Sequence, residues 1–508
     1  MDLQPDHDFP IAGGALDGER LGGGFDVAHG SPFGGMACAW QDGQTPTAKA
    51  LADSRPACVS PESETRSCRA GRGTLQRRRV PRPARHERII PDADMSTGGS
   101  CASDAASHRF RALDGASHRF RALDGASHRF RALDGARGLC ALLVCLFHFK
   151  AAGPLAASAL VRGGWLCVDF FFVLSGFVIA AGWGGRLERP ADLPRFLVLR
   201  LARVWPLHLV MLALFLAVEL AGAALTGGGI MHRTLFGPGH GVGDWLLSAL
   251  LLNCFGLTGG PAWNVPAWSI AAEYWSWAIF GLAWVWGGRD RPWLILLLSV
   301  AAGVVMLAEG TGLNRSWDGG LARALCGFFA GVVVHSLPRW QPAGRAAATR
   351  VELLAVAAAL GLIMAAPTGP ASLIAPPVFA MVVHALASDA GAVSRLLAQP
   401  ALQWLGLSSS ALYLSHAFVQ ARLGDVLDLA PRLLPGLPRL MQHGPAGELF
   451  GRTAGEGLAL TLVMLALALL TAQAAARWVE EPVRRWAWAR WHPASVVARL
   501  KAATRVAR

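Results

Sequence analysis

The first quarter of the chain is polar; from residue 136 onward apolar runs follow one another with short polar breaks. The runs lie at 138–157, 164–182, 203–224, 267–286, 292–309, 320–337, 350–366, 371–387, 402–421 and 456–477. Several approach the ~20 residues that a helix needs to cross a bilayer. They predict an all-α polytopic membrane protein of about ten transmembrane helices. A further run at 245–258, WLLSALLLNCFGLT, is short. Runs of ~10–14 residues are more often re-entrant or interfacial than spanning.

Charge decides how many runs cross. If 245–258 does not span, an N-terminus in the cytoplasm puts Arg186, Arg189, Arg195, Arg289, Arg291, Arg339, Arg345, Arg350, Arg395 and the basic stretch 484–508 inside. If it spans, most of the later basic loops move outside. The excess of Lys and Arg in cytoplasmic loops therefore favours ten spans with both ends in the cytoplasm. The less basic loops 225–243, 310–319 and 422–455 then lie outside.

Composition agrees. The chain is 53% hydrophobic and only 16% charged, a balance foreign to ordinary soluble domains. Nineteen Trp against two Tyr suit interfacial anchoring. The net charge of +13, carried almost wholly by Arg, is absorbed by the topology. No RNA- or DNA-binding pattern accompanies it, and no nucleic-acid partner is expected. The nine Cys form neither a metal spacing nor a disulfide framework. Cys140, Cys145, Cys167, Cys254 and Cys326 fall in apolar runs, where Cys behaves as a small hydrophobe. The opening MDLQPDHDFP has no basic n-region or apolar h-region, so no secretory signal is expected.

Residues 1–105 are rich in Gly, Pro, Arg, Ser and Asp without periodicity and read as a disordered leader, with Met95 as an alternative start. Residues 106–135 then repeat ASHRFRALDG three times. Stacked repeat folds need periods of ~20–50 residues and an apolar face, so the array reads as a tandem duplication. Only the last copy runs into ARGLCALLVCLFHF. There Asp134 is expected to cap the first membrane helix, and the two earlier copies are expected to be dispensable. The membrane domain is read as 136–482 and a basic cytoplasmic tail as 483–508.

Ionisable groups in hydrocarbon are costly, so each is a functional candidate. His148 follows Arg137 by eleven residues; at ~1.5 Å and ~100° per residue it lies ~16 Å deeper on nearly the same helix face. It reads either as a core His hydrogen-bonded to a neighbouring backbone or as a proton carrier, since His is the side chain best suited to move a proton near neutral pH. Arg200 and Arg203, in RFLVLRLARVWPLHL, share a face at the start of the third span. They read either as topology anchors or as a fork for phosphate or carboxylate. Glu273, in PAWSIAAEYWSW, sits one turn inside a helix starting near Trp268, with Ser269 four residues before it. It either pairs with an Arg of another helix or takes part in chemistry. Asp169, in WLCVDFFFVLSGF, and His416, in SSSALYLSHAFV, fall on the outer halves of their helices. Each reads as a packing hydrogen bond or, together with His148, as part of a polar cavity reaching toward the outside. His208, His335 and His384 read as structural.

The ordered series RALDGARGLCALLVCLFHF, WLCVDFFFVLSGFVI, RLARVWPLH, WSIAAEYW, ALYLSH and VEEPVRRW resembles the acyltransferase 3 family of bacterial membrane acyltransferases, over about residues 131–490. Two departures are Cys167, where the family often has Gly, and Glu481, where an Arg is common before Pro482. The resemblance implies an O-acyltransferase taking an acyl group, acetyl by default, from cytoplasmic acyl-CoA as donor substrate. The acceptor it implies is a hydroxyl of a surface polysaccharide, a glycolipid or a related glycoside. It implies a multi-pass protein of the bacterial inner membrane, and membrane lipids are its third partner. It assigns Arg137, Arg200 and Arg203 to the donor's phosphates. In that reading His148 and Glu273 are the catalytic candidates, His148 as general base or covalent acyl carrier, and Asp169, His416 and Ser269 bind or orient the substrate. No permanently bound cofactor and no metal is called for. The extra periplasmic esterase-like domain of some relatives is not expected here. A transporter or flippase for the same glycan lipids would also line a pathway with buried charge, and a non-catalytic scaffold would tolerate loss of His148.

Overall fold

The computed structural model describes residues 130–226, 235–288, 291–444 and 447–491. The leader 1–105, most of the repeat array and residues 492–508 lie outside them. Helices occupy every one of the ten apolar runs, although their ends move. In chain order they are α1 (Arg131–His148), α2 (Cys167–Trp183), α3 (Leu193–Thr226), α4 (Val242–Ala249), α5 (Trp268–Trp286), α6 (Arg291–Ala308), α7 (Gly320–Ser336), α8 (Arg345–Ala365), α9 (Ala375–Leu386), α10 (Ala392–Leu397) and α11 (Pro400–Leu433). An antiparallel hairpin, β1 (Met441–Gly444) and β2 (Gly447–Phe450), precedes α12 (Ala454–Ala475) and α13 (Glu481–Trp491). Five segments among the described residues are long and apolar enough to cross a membrane. The chain is a mostly helical, multi-pass membrane protein.

The first helix differs from its sequence reading at both ends. It starts at Arg131, so Asp134 lies inside the first turn and does not cap it. The cap comes from another part of the chain: the Asp389 carboxylate accepts from Arg131 N at 3.2 Å and Ala132 N at 2.9 Å. Asp134 instead pairs with Arg137 at 3.5 Å. The helix stops at His148, well short of residue 157, because the next residues turn extended and pair with the hairpin. Ala152 N donates to Phe450 O at 2.8 Å and Phe450 N to Lys150 O at 2.9 Å. Phe149 stacks on Phe450 with ring centroids 4.4 Å apart.

Other boundaries shift for similar reasons. Arg200 and Arg203 do not open α3 but sit two turns inside it, since Leu193–Arg200 continues the helix. Helix α11 runs on past residue 421 to Leu433, so much of the stretch 422–455 is helix and hairpin. Of the 245–258 run only Trp245–Ala249 is helical, as the end of the eight-residue α4, ~12 Å of helix in all, too short to span. Trp205 Nε1 and His208 Nε2 of α3 contact the carbonyl oxygens of Ala249 and Ser248, both at 2.8 Å, and tie that short helix down. The first residues of the expected basic tail form α13, which packs on α3 with Ala487 and Trp488 buried.

Two tight helix pairs organise the bundle. Helix α1 lies on α11 through small residues: a Cβ on Gly138 would strike the Gly406 backbone, and one on Gly406 would strike the Asp134 carbonyl. Close approach of this kind is how membrane helices gain packing when lipid is as apolar as their side chains. Arg137 Nη2 then reaches Gly406 O at 2.8 Å, and Gln420 Nε2 reaches Cys145 O at 2.8 Å further along. Helix α2 lies on α7, and their buried ends are joined by Asp169 and Arg323. Arg323 Nη2 and Nε donate to the two carboxylate oxygens at 2.7 and 2.9 Å.

Candidate active site

A cavity of about 210 Å³ opens among α1, α2, α3, α5, α11 and the junction of α12 with α13. Its basic side chains come from three elements: Arg137 of α1, Arg200 and Arg203 of α3, and Arg484 of α13. Arg137 is fixed at its inner end, where Nε donates to Ser409 Oγ at 2.9 Å. The buried Arg200 guanidinium lies between the rings of Trp183 and Trp277, 5.8 Å from each centroid. Cation–π contact holds a guanidinium in an apolar wall while leaving its charge in force. Three carboxylates border the same space, Asp134 of α1, Glu273 of α5 and Glu480 at the end of a π-helical turn, Ala476–Glu480. Glu273 stands beside Ser175, and the charges of Arg203, Arg137 and Arg200 all act on it. Ser175 in turn accepts from Trp277 Nε1 at 3.0 Å.

One wall is Tyr413. Its hydroxyl lies 2.7 Å from Ser269 Oγ, and both hydroxyls reach the Pro266 carbonyl, at 3.2 and 3.0 Å. The Tyr413 ring also packs on His416, 5.8 Å between centroids. Behind it stands a histidine pair. His416 Nε2 is 3.3 Å from His148 Nδ1. His148 Nδ1 also faces Val144 O at 2.9 Å, and His416 Nδ1 faces Leu412 O at 3.2 Å. A carbonyl oxygen only accepts, so each Nδ1 carries the proton. His416 Nε2 is then the acceptor, and the neutral His148 ring keeps its lone pair on Nε2. The pair thus orients a nitrogen base at the far end of the helix that carries Arg137.

The structure therefore brings Arg137, Arg200, Arg203, Ser269 and Glu273 to one cavity and joins His148 to His416 next to it. Asp169 stands apart. It is fully buried against Arg323, whose guanidinium also lies over the rings of Trp165 and Trp268 at 5.1 and 5.3 Å. Four residues at or beside these sites escaped the sequence reading: Tyr413, Glu480, Arg484 and Arg323. Arg323 carried a signal, a lone guanidinium inside the apolar run GLARALCGFF. Glu480 and Arg484 stood in the VEEPVRRW segment but after the last apolar run, and Tyr413 stood in ALYLSH beside the histidine that drew attention.

The family model described as an acyltransferase domain, that of the acyltransferase 3 family, matches residues 130–474. The chain belongs to this family and is an O-acyltransferase. It is 29% identical to acyltransferase MdmB of Streptomyces mycarofaciens over 353 residues, 63% of this chain and 81% of that protein. It is 35% identical to protein 2 in the picA locus of Rhizobium radiobacter over 183 residues, 34% of this chain and 90% of that protein. No solved structure matches the chain.

Proposed function

We propose that this acyltransferase moves an acyl group, acetyl in the first instance, from cytoplasmic acyl-CoA to a hydroxyl of a surface polysaccharide, glycolipid or related glycoside. In this reading it spans the bacterial inner membrane ten times, with both termini in the cytoplasm. One observation carries it: Arg137, Arg200, Arg203 and Arg484 converge on a single cavity whose far wall leads to His148. Guanidinium forks suit the phosphates of a CoA ester, and charge-assisted bonds strengthen where water is scarce. A donor held there points its thioester toward Tyr413.

His148 Nε2 takes the proton of the acceptor hydroxyl as that oxygen attacks the thioester carbonyl. The tetrahedral intermediate collapses with loss of the CoA thiolate, which recovers the proton from the imidazolium. The new C–O bond replaces the C–S bond, and the ring returns to its starting tautomer. A positioned base of this kind contributes ~10²–10⁴ in rate. The same lone pair suits a covalent acyl-imidazole. The name of the Streptomyces relative supports acyl transfer as the class of reaction.

The test uses purified protein in nanodiscs with radiolabelled acetyl-CoA and a glycolipid extract of the host. Wild type releases CoA and labels the extract; His148→Ala binds acetyl-CoA with unchanged affinity but loses transfer by at least a hundredfold. Equal transfer by both would remove His148 from the mechanism. A label trapped on wild type and absent from His148→Ala would favour the acyl-imidazole route over simple base catalysis.

A further inference from the structure

The VEEPVRRW segment contains two Glu–Arg pairs at i,i+4, Glu480 with Arg484 and Glu481 with Arg485. They share composition and spacing but not surroundings. Glu481 and Arg485 meet each other on the outside of α13, where the arginine side chain is 61% exposed. Glu480 and Arg484 border the cavity. The two pairs are offset by one residue and so face ~100° apart on the helix, and a π-helical turn ends at Glu480. Such turns recur at functional sites. Glu480 is 9% exposed, and its Oε1 accepts no hydrogen bond from any described residue. A buried carboxylate oxygen without a donor is costly, and Ser410, Arg484, Arg203 and Arg137 stand round the rest of the group. The family match closes at residue 474, short of this residue, while the motif series that resembles the family runs on through VEEPVRRW.

We infer that Glu480 is a donor-binding residue whose Oε1 accepts a hydrogen bond from an N–H or O–H of the pantetheine arm of acyl-CoA. This rests on the donor proposed above. The arginines beside Glu480 take the phosphates, and a phosphate oxygen has no proton to give a carboxylate. The neighbouring stretch of the ligand, the amide- and hydroxyl-bearing arm, has several. The pairing fixes the arm where it leaves the arginines for Tyr413.

The test is direct binding of acetyl-CoA to the full-length protein in nanodiscs. Coulomb attraction alone predicts that E480Q binds the polyanion more tightly, because a negative charge has gone. Loss of a hydrogen bond to a charged acceptor predicts the opposite, about tenfold weaker binding. E481Q leaves affinity unchanged. E480D keeps the charge but withdraws the oxygen by one methylene, and it too weakens binding. It serves where E480Q does not purify as a monodisperse protein. A fragment without the arm, 3′-phosphoadenosine 5′-diphosphate, has no hydrogen bond to lose and binds E480Q at least as tightly as wild type. Equal or tighter acetyl-CoA binding by E480Q, or wild-type affinity in E480D, overturns the inference while the donor reading stands. A matching loss for the fragment moves the contact off the arm and overturns it likewise. If wild type does not bind acetyl-CoA at all, the donor reading fails and this inference with it.

Discussion

A hydrogen bond between two imidazoles and an ion pair between Asp169 and Arg323 are both buried polar contacts, yet different outcomes are expected when each is cut. His416 Nε2 accepts a second hydrogen bond from the His148 Nδ1–H that also faces Val144 O, and His416 is not itself a lining residue of the cavity. His416→Ala should lower transfer about fivefold, the worth of one neutral hydrogen bond of ~1 kcal/mol, with acetyl-CoA affinity unchanged. The Asp169 pair has no such readout. Removing one partner leaves an uncompensated buried charge, which costs about 3–5 kcal/mol in proteins generally. Asp169→Asn should therefore lower the melting temperature in detergent well before it alters the reaction, and Asp169→Leu combined with Arg323→Met should regain much of the loss. If Asp169→Asn melts like wild type but no longer transfers, Asp169 belongs to the chemistry. The sequence exposes the single charges in apolar runs but not their partners. Arg323 lies 154 residues from Asp169 and His416 lies 268 from His148, and one sequence carries no sign of such distant pairing.

Among the elements, α1 and α11 depend on glycine contact. Gly138→Val puts a branched side chain where even one Cβ meets the Gly406 backbone. Overpacking of this kind costs about 1–3 kcal/mol, and it also draws Arg137 away from Ser409. The variant should melt lower and bind acetyl-CoA more weakly, whereas Gly361→Val, at a position with nothing near its Cβ, should do neither. Equal melting temperatures for the two would show that the helices tolerate a wider gap. The centres of the helices were plain from the apolar runs, because hydrocarbon thickness demands them. Their ends were not. The end of α1 depends on a hairpin far along the chain, and the extra turns of α3 and α11 carry charges such as Arg200 and Asp428 that break an apolar run without breaking a helix.

Across the whole molecule, the bias of basic loops on which the ten-span reading rests has a counterpart in pairing. Arg315 meets Glu309 at 2.5 Å, Arg432 meets Asp428 at 2.8 Å and Arg452 meets Glu456 at 2.6 Å. All three lie toward the side that the ten-span reading puts outside. Arg–acid pairs there reduce the cost of basic residues on the face where they are disfavoured. Among the described residues the repeat array is represented by the end of its last copy, whose RALDG forms the first turn of α1, with Gly135 against the Leu397 carbonyl. Deleting residues 106–125 should leave both the melting temperature and transfer within about twofold of wild type. A larger loss would give the earlier copies a role of their own. Composition and motif order made the membrane class and the family legible. The cavity was not, because it exists only where six elements meet.

The strand pairing between Lys150–Ala152 and Phe450 bears on how the protein is made. Chains emerge N-terminus first, so α1 enters the membrane long before the hairpin has been synthesised. Until then the segment after His148 has no partner for its backbone, and until α11 is made His148 has no His416. The helix that carries both Arg137 and His148 is thus among the earliest inserted and the last to be finished. A ribosome stalled before α11 would hold a nascent chain with every arginine of α1 and α3 in place and no site.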